Sequence, residues 1–206
     1  MAEIFNFVPR HELHAKGNLV RFIQACKEML TVFGADLDWD SDYWPNPGIS
    51  FGNLDQKSRK LDPANVMKQP FLDFARAYFR YMQGHKSSAS FPEMRALKCL
   101  ERALVASGAV PDIQRVSVST LDHAAILARE NFSPGLAYHA GRELAKLASF
   151  VSEKNLVLTK LDWKTPMRRP VDTVRTGRKA KAQREKKLPS DGALNALSDI
   201  FASNPV

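Results

Sequence analysis

A dense group of cationic side chains lies between residues 164 and 187, a segment that we call the strap. Ten cations against two anions, Asp172 and Glu185, give the strap a charge of +8, which equals the charge of the whole chain, so the other residues sum to zero. Clustered cations with few apolar neighbours cannot build a core, and a polyanion is their simplest partner. A solvated linker without a partner is the alternative. The ten cations are Lys164, Arg168, Arg169, Arg175, Arg178, Lys179, Lys181, Arg184, Lys186 and Lys187.

Other side chains that could support chemistry form no recognisable site. His11 and His14 stand three residues apart, whereas a zinc-binding helix carries histidines four apart with a glutamate beside the first, so we expect a surface position. The alternating aspartates from Asp36 to Asp42 resemble part of a calcium loop, but its glycine and closing glutamate are missing. No glycine-rich phosphate loop or nucleophile elbow occurs. We therefore expect no stand-alone enzyme, no metal, no cofactor and no small-molecule substrate.

Residues 35–61 combine turn-forming residues with an unusual number of aromatic side chains, at Trp39, Tyr43, Trp44 and Phe51. Such rings can stack on nucleic-acid bases, or they can hold a long loop against the body of the protein. Because the aspartates in the same loop would repel phosphate, we expect packing.

Five segments place apolar residues at the three-and-four spacing of a helix, and none alternates as a strand does. The predicted helices cover residues 18–33, 70–83, 92–107, about 119–131 and 134–154, with Asn18 and Ser133 as caps and Gly34, Gly84 and Gly108 as stops. We expect an all-α body, a compact bundle of four to five helices, without a sheet larger than a hairpin. Leu100, Leu136 and Leu144 are predicted to face its core.

Two of these helices carry cations opposite their apolar stripe. Arg76 and Arg80 share one outer face with Asp73, and a second face joins Arg95, Lys98 and Arg102. Such faces suit the major groove of duplex DNA, and ordinary solvated helix surfaces are the alternative.

The remaining composition indicates a reducing compartment. Cys26 and Cys99 fall within helical patterns, where cysteine behaves as a small buried hydrophobe, so we expect no disulfide framework. The N-terminus lacks the pattern of a secretory signal, and no apolar run approaches the roughly 20 residues that cross a bilayer. We expect a cytoplasmic protein without a membrane partner.

Changes in composition divide the chain into four predicted parts. These are an N-terminal helix with the aromatic loop (1–62), a compact helical domain (63–160), a basic linker (161–187) and a final helix (188–206). The final helix carries Leu194, Leu197, Ile200 and Phe201 on one face. It looks like the first helix of a further domain.

Several segments follow one another in a characteristic order: FLDFARAYFRY at 71–81, RALKCLERAL at 95–104, LDHAAILARENFSPGLAYHAGRELAKLASFV at 121–151, WKTP at 163–166 and KLPSDGALNALSDIF at 187–201. Each alone is a generic segment. Their order, together with the strap, resembles the N-terminal half of tyrosine-type site-specific recombinases, the phage-integrase superfamily. The resemblance implies a SAM-like core-binding domain, an interdomain linker at the strap and a catalytic domain that begins at Leu188.

The resemblance also limits what can be assigned. The family's catalytic arginines, histidines, lysine and tyrosine lie in the later domain, so no catalytic residue is carried over to this chain. Tyr43, Tyr78, Tyr81 and Tyr138 all precede that domain and receive no nucleophilic role. The resemblance further implies other recombinase protomers as partners on the DNA and an association with the nucleoid.

We expect this chain to bind duplex DNA, with affinity from the strap cations from Arg168 onward and sequence reading from the two cationic helix faces. Without DNA, residues 167–187 should be extended or disordered. One alternative is a protein-interaction module whose tail helix docks in a partner's groove. Another is an enzyme with an unrecognised polar pocket.

Overall fold

The computed structural model describes residues 6–29, 37–44, 48–52, 66–82, 92–108 and 110–170, together with residues 192, 193 and 199. The chain divides into two compact units, Met1–Arg169 and Pro170–Val206. The α-helices described in the first unit are α1 (Ala15–Glu28), α2 (Phe71–Met82), α3 (Pro92–Ala106), α4 (Val118–Asn131) and α5 (Pro134–Glu153). In the second unit residues 192, 193 and 199 are helical, and the rest of the predicted tail helix lies outside the described residues.

Strand structure in the described ranges is confined to one antiparallel hairpin, in which β1 (Tyr43–Trp44) pairs with β2 (Ile49–Ser50). A short 3-10 turn, Ile113–Arg115, connects α3 to α4. The mainly helical fold predicted from the periodicity is therefore confirmed. No helix in the described part of the chain is both long and apolar enough to cross a bilayer.

The limits of α3, α4 and α5 follow from local sequence signals. In α4 the Ser117 hydroxyl accepts from the Thr120 amide at 3.2 Å and the Thr120 hydroxyl accepts from the Ser117 amide at 3.3 Å, which is a capping box. Pro92 and Pro134 open α3 and α5, where a residue without an amide hydrogen leaves no donor unpaired. Past the end of α3, Gly108 has a φ of +76°, which glycine adopts without strain. The predicted limits of these helices are confirmed to about one residue.

The first helix differs from its prediction. α1 begins at Ala15, and Asn18 is fully buried inside it. The Asn18 side chain accepts from the Arg10 amide at 2.9 Å and donates to the Arg10 carbonyl at 3.0 Å. The prediction of Asn18 as a helix cap is wrong, because its amide group pairs with the backbone of the preceding loop. The stop predicted at Gly34 lies outside the described residues.

The core forms where α3, α4 and α5 pack against one another. Leu100 and Leu144 are completely buried, as predicted. Leu136 is 38% exposed, so its predicted core position is wrong. The buried stripe of α5 runs through Ala137 and Ala140 instead, and Leu136 lies about 100° around the helix from Ala137.

Aromatic rings join the N-terminal part of the chain to this core. The Phe22 ring of α1 lies 5.2 Å from Phe7 and 5.4 Å from Phe150 of α5, measured between centroids. Tyr81 of α2 completes the group, 5.2 Å from Phe150. Residues on both sides of the predicted domain boundary at residue 62 therefore share one hydrophobic core.

The aromatic loop packs onto the body, as predicted, and α2 is one of the elements that it contacts. Trp39, Trp44 and Phe51 are buried, and the Trp44 ring lies 4.9 Å from Phe51 and 6.2 Å from Phe79 of α2. Tyr43 alone among the four predicted rings is exposed. The loop therefore covers one side of α2, and this cover determines whether the arginines on that helix are exposed to solvent.

Candidate nucleic-acid interface

Arg76, predicted to face outward from α2, is buried with 2% of its surface exposed. Its guanidinium donates to the carbonyls of Asp40 and Ser41 at 2.9 and 3.3 Å and to the Asp42 carboxylate at 3.1 Å. It also forms an ion pair with Asp73 at 3.5 Å. The outward position predicted for Arg76 is wrong, because the aromatic loop supplies carbonyls and carboxylates in place of water.

Arg80, the second cation of that predicted face, is 5% exposed and its outward position is wrong as well. Its Nε donates to the carbonyl of Met29, just beyond the end of α1. Burial lowers the pKa of the Arg80 guanidinium. A polar group withdrawn from water needs such partners, so both arginines serve the fold, and α2 offers DNA no cationic face at these positions.

Of the three cations predicted to form an outer face on α3, only one is fully exposed. Arg102 is exposed and Arg95 is half-buried. Lys98 is also half-buried, and its Nζ donates to the carbonyl of Gly52 at 2.7 Å, which ties the end of the hairpin to α3. Burial lowers the pKa of Lys98, and the nearby charge of Arg102 lowers it further. Arg102 is therefore the member of this face best placed for a ligand.

The residues that follow α5 return along it toward the strap. The Leu161 amide donates to the Ser152 hydroxyl at 2.9 Å, near the end of α5. Trp163 is 7% exposed and Met167 is 8% exposed, so the beginning of the strap is packed. Residues 167–170 form neither helix nor strand, which agrees with the predicted extended conformation, although Met167 is packed. The rest of the segment predicted to be extended or disordered, residues 171–187, lies outside the described residues.

Three contacts with α4 and α5 hold residues 163–167, and we call them together the clamp. The Trp163 indole donates to the Asp122 carboxylate at 2.8 Å, and the Arg129 guanidinium donates to the Pro166 carbonyl at 3.2 Å. The third contact is a close approach of Thr165 and Met167 to Gly141 of α5. Two helices therefore fix residues 163–167, directly before Arg168 and Arg169.

The clamp presents the first strap cations to solvent. Lys164, Arg168 and Arg169 are all exposed. The other predicted strap residues lie outside the described residues: Arg175, Arg178, Lys179, Lys181, Arg184, Lys186 and Lys187.

Sequence reasoning missed the cations of the helices beside the clamp. Arg129 and Arg142 are exposed, and the Arg142 guanidinium lies 6.0 Å from the centre of the Tyr138 ring. Arg142, Lys146 and Lys164 line a groove of about 650 Å³, which Glu153 and Asp162 also border. The spacing of Arg142 and Lys146, one helical turn apart, could have identified this rim.

Sites for other chemistry are not apparent in the described ranges. No group of His, Cys, Asp or Glu side chains there is arranged to hold a metal ion. His14 occupies the N-cap position of α1, and His11 is exposed. Cys26 and Cys99 are buried free thiols, and burial raises their pKa to about 12 and about 11.

Comparison of the chain with protein-family models, with curated proteins and with solved structures finds no match. The likeness to tyrosine-type recombinases therefore rests on the order of the sequence segments and on the strap alone.

Proposed function

We propose that this chain binds duplex DNA through its strap, as the DNA-binding part of a tyrosine-type recombinase whose helical body is a SAM-like core-binding domain. The observation that carries the proposal is the change in burial between Met167 and Arg168. Trp163 and Met167 are buried against the helices, whereas the next residues, Arg168 and Arg169, are exposed and begin a strongly cationic run. Cations anchored at one end lose less conformational freedom on reaching phosphates than cations on a free tether.

Phosphate contacts by the strap supply the affinity in this proposal and carry no sequence information. Each neutralised phosphate contributes about −0.9 to the slope of log K against log salt concentration. Base reading falls to the exposed Arg102 with Arg95 beside it, since Arg76 and Arg80 are withdrawn into the fold. Further protomers on the same DNA and a cytoplasmic location with the nucleoid belong to the same proposal.

The decisive experiment removes four strap charges together, Arg178, Lys179, Lys181 and Arg184, each replaced by alanine. Binding to a random-sequence duplex is followed by fluorescence anisotropy over a range of salt concentrations. We expect much weaker binding and a salt slope reduced by up to about 3–4, if all four side chains contact phosphate. The melting temperature of the body should stay nearly unchanged.

A matched control removes four exposed cations of the body, Arg10, Lys16, Lys27 and Lys68, which changes the net charge by the same amount. This control should affect binding far less, because these side chains are not part of the strap. Equal effects in the two variants would reduce the proposal to a general attraction by net charge. Indifference of the unaltered protein to DNA would favour the alternative, a protein-interaction module.

A further inference from the structure

Gly141 lies in the interior of α5, where glycine is unfavourable for helix formation. The residue sits in the middle of a 20-residue helix, where alanine is the better helix former. A Cβ atom added at Gly141 would lie 2.5 Å from Thr165 Oγ1 and 3.1 Å from the Met167 sulfur. The absence of a side chain therefore lets the start of the strap lie directly against the helix.

The two hydrogen bonds of the clamp act on the same few residues. The buried Trp163 indole N–H needs an acceptor, which Asp122 supplies. Arg129 lies two turns further along α4 and binds the Pro166 carbonyl. Within the segment, the Thr165 hydroxyl accepts from the Met167 amide at 3.3 Å, which fixes the backbone directly before Arg168.

We propose that the clamp is a positioning device for DNA binding, in which Asp122, Arg129 and Gly141 fix residues 163–167 and thereby the place of the exposed Arg168 and Arg169 on the body. This inference rests on the proposed function, because it concerns how the strap meets DNA. The three residues themselves need not touch DNA. When the clamp is released, Arg168 and Arg169 keep their charges, but residues 163–169 must be ordered again each time they bind DNA.

Gly141→Ala tests the clamp, and Gly135→Ala is its matched control. Both glycines lie in α5, but a Cβ added at Gly135 meets nothing within 4 Å. We expect Gly141→Ala to bind random duplex DNA about 5- to 30-fold more weakly than Gly135→Ala, the factor for ordering about one further backbone residue. The salt slope should be the same in both, because the strap still contacts the same number of phosphates.

Limited trypsin digestion gives a readout that does not involve DNA. The bond after Lys164 lies inside the clamped segment, and cleavage there requires local opening. Cleavage at this bond should be faster in Gly141→Ala than in Gly135→Ala. Equal cleavage rates and equal affinities in the two variants would overturn the inference.

Asp122→Ala tests the clamp from the side of α4 and remains informative if Gly141→Ala does not fold. Removing an acid from a DNA-binding protein should strengthen binding by simple electrostatics, whereas release of Trp163 should weaken it. Glu130→Ala is the control, since it removes an exposed acid of the same helix that takes part in none of the clamp contacts. We expect Asp122→Ala to bind DNA less tightly than Glu130→Ala, and the reverse order would overturn the inference.

The outcome of the strap experiment separates the two proposals. If removing the four strap charges weakens binding and the clamp variants do not, DNA binding stands and the positioning role falls. If neither set changes binding, both proposals fall. If both sets weaken binding but only the strap variant lowers the salt slope, the clamp acts by position and the strap by charge.

Discussion

α2 and the segment that leaves the clamp each carry two arginines, and the fold treats the two pairs in opposite ways. Arg76 and Arg80 are withdrawn from solvent and bind carbonyls and carboxylates of neighbouring segments. Arg168 and Arg169 are exposed directly beyond the buried Met167. Spacing along one helix shows which residues share a face, but the neighbouring elements decide whether that face meets water. A row of cations on one helix face therefore predicts a ligand surface only when no neighbouring element packs over that face.

The aspartates of the aromatic loop supply the acceptors that Arg76 binds. These aspartates argued against phosphate contact, and two of them, Asp40 and Asp42, form ion pairs with Arg76 at 3.8 and 3.1 Å. Asp73 on α2 adds a third carboxylate and also accepts from the Trp39 indole at 3.3 Å. The planar guanidinium, with five donors, suits such a crowded set of acceptors better than an ammonium group. The loop and the buried arginine thus stabilise each other.

The largest expected effect on stability comes from the buried pair. Arg76→Met keeps most of the apolar stem but removes the guanidinium, and we expect a loss of about 1.5–3 kcal/mol in the free energy of unfolding, the range for hydrogen bonds to a charged group. Arg169→Met, the exposed counterpart, should change stability by no more than about 0.5 kcal/mol. Urea denaturation followed by circular dichroism measures both. Equal losses would mean that burial does not distinguish the two pairs.

The exposed pair should show the opposite behaviour. Replacing Arg168 and Arg169 together by alanine should lower the salt slope of DNA binding by up to about 1.8, if each contacts one phosphate. The melting temperature should not change. Replacing Arg10 and Lys16, two exposed body cations, is the control of equal charge. An equal fall of the salt slope in the control would mean that Arg168 and Arg169 contribute no more to DNA binding than any other exposed cations.

Lys98 and Arg102 reproduce the contrast within one helix. Lys98→Met removes the bond to the Gly52 carbonyl and should cost about 1.5 kcal/mol of stability, the lower end of the range for a hydrogen bond to a charged group, because Lys98 is only half-buried. Arg102→Met should leave stability nearly unchanged and lower the salt slope by about 0.9 if Arg102 contacts phosphate. Denaturation and DNA-binding measurements on both variants would show whether Lys98 instead affects DNA binding and Arg102 instead affects stability. Such an exchange would contradict the assignment of Arg102 as the exposed member.

The smallest effect concerns the buried thiols. Burial raises the pKa of Cys26 to about 12 and of Cys99 to about 11, while an unfolded thiol ionises near pH 8.5. Folding favours the protonated form, so the thiols should contribute stability below about pH 8.5 and lose it progressively as pH rises toward the folded values. Unfolding free energies measured at pH 8 and above pH 9 test this sign.

Thiol reactivity provides an independent measurement of the same burial. At pH 8 the native thiols should react slowly with a disulfide reagent, and the urea-unfolded chain should react at once. In the native state burial raises the pKa of Cys26, and the neighbouring Arg80 charge offsets only part of that rise. Fast reaction of the native protein would mean that the Arg80 side of α2 opens readily.

Helix content and most helix limits were predictable from the sequence. Proline at the first position of α3 and α5, the capping box of α4 and Gly108 are local signals, and each acts within a few residues. Core positions such as Leu100 and Leu144 follow from periodicity for the same reason. The concentration of charge in the strap is likewise a property of the chain alone.

Only the tertiary structure decided where the polar side chains are used. Asn18 resembles a helix cap until the loop at Arg10 folds back onto it, and Arg76 resembles a solvated residue until the aromatic loop covers it. The need for glycine at position 141 likewise exists only because a segment more than 20 residues away in the chain lies against α5. Local sequence sets backbone preference and periodicity, whereas burial and hydrogen bonding depend on long-range contacts that no local pattern contains.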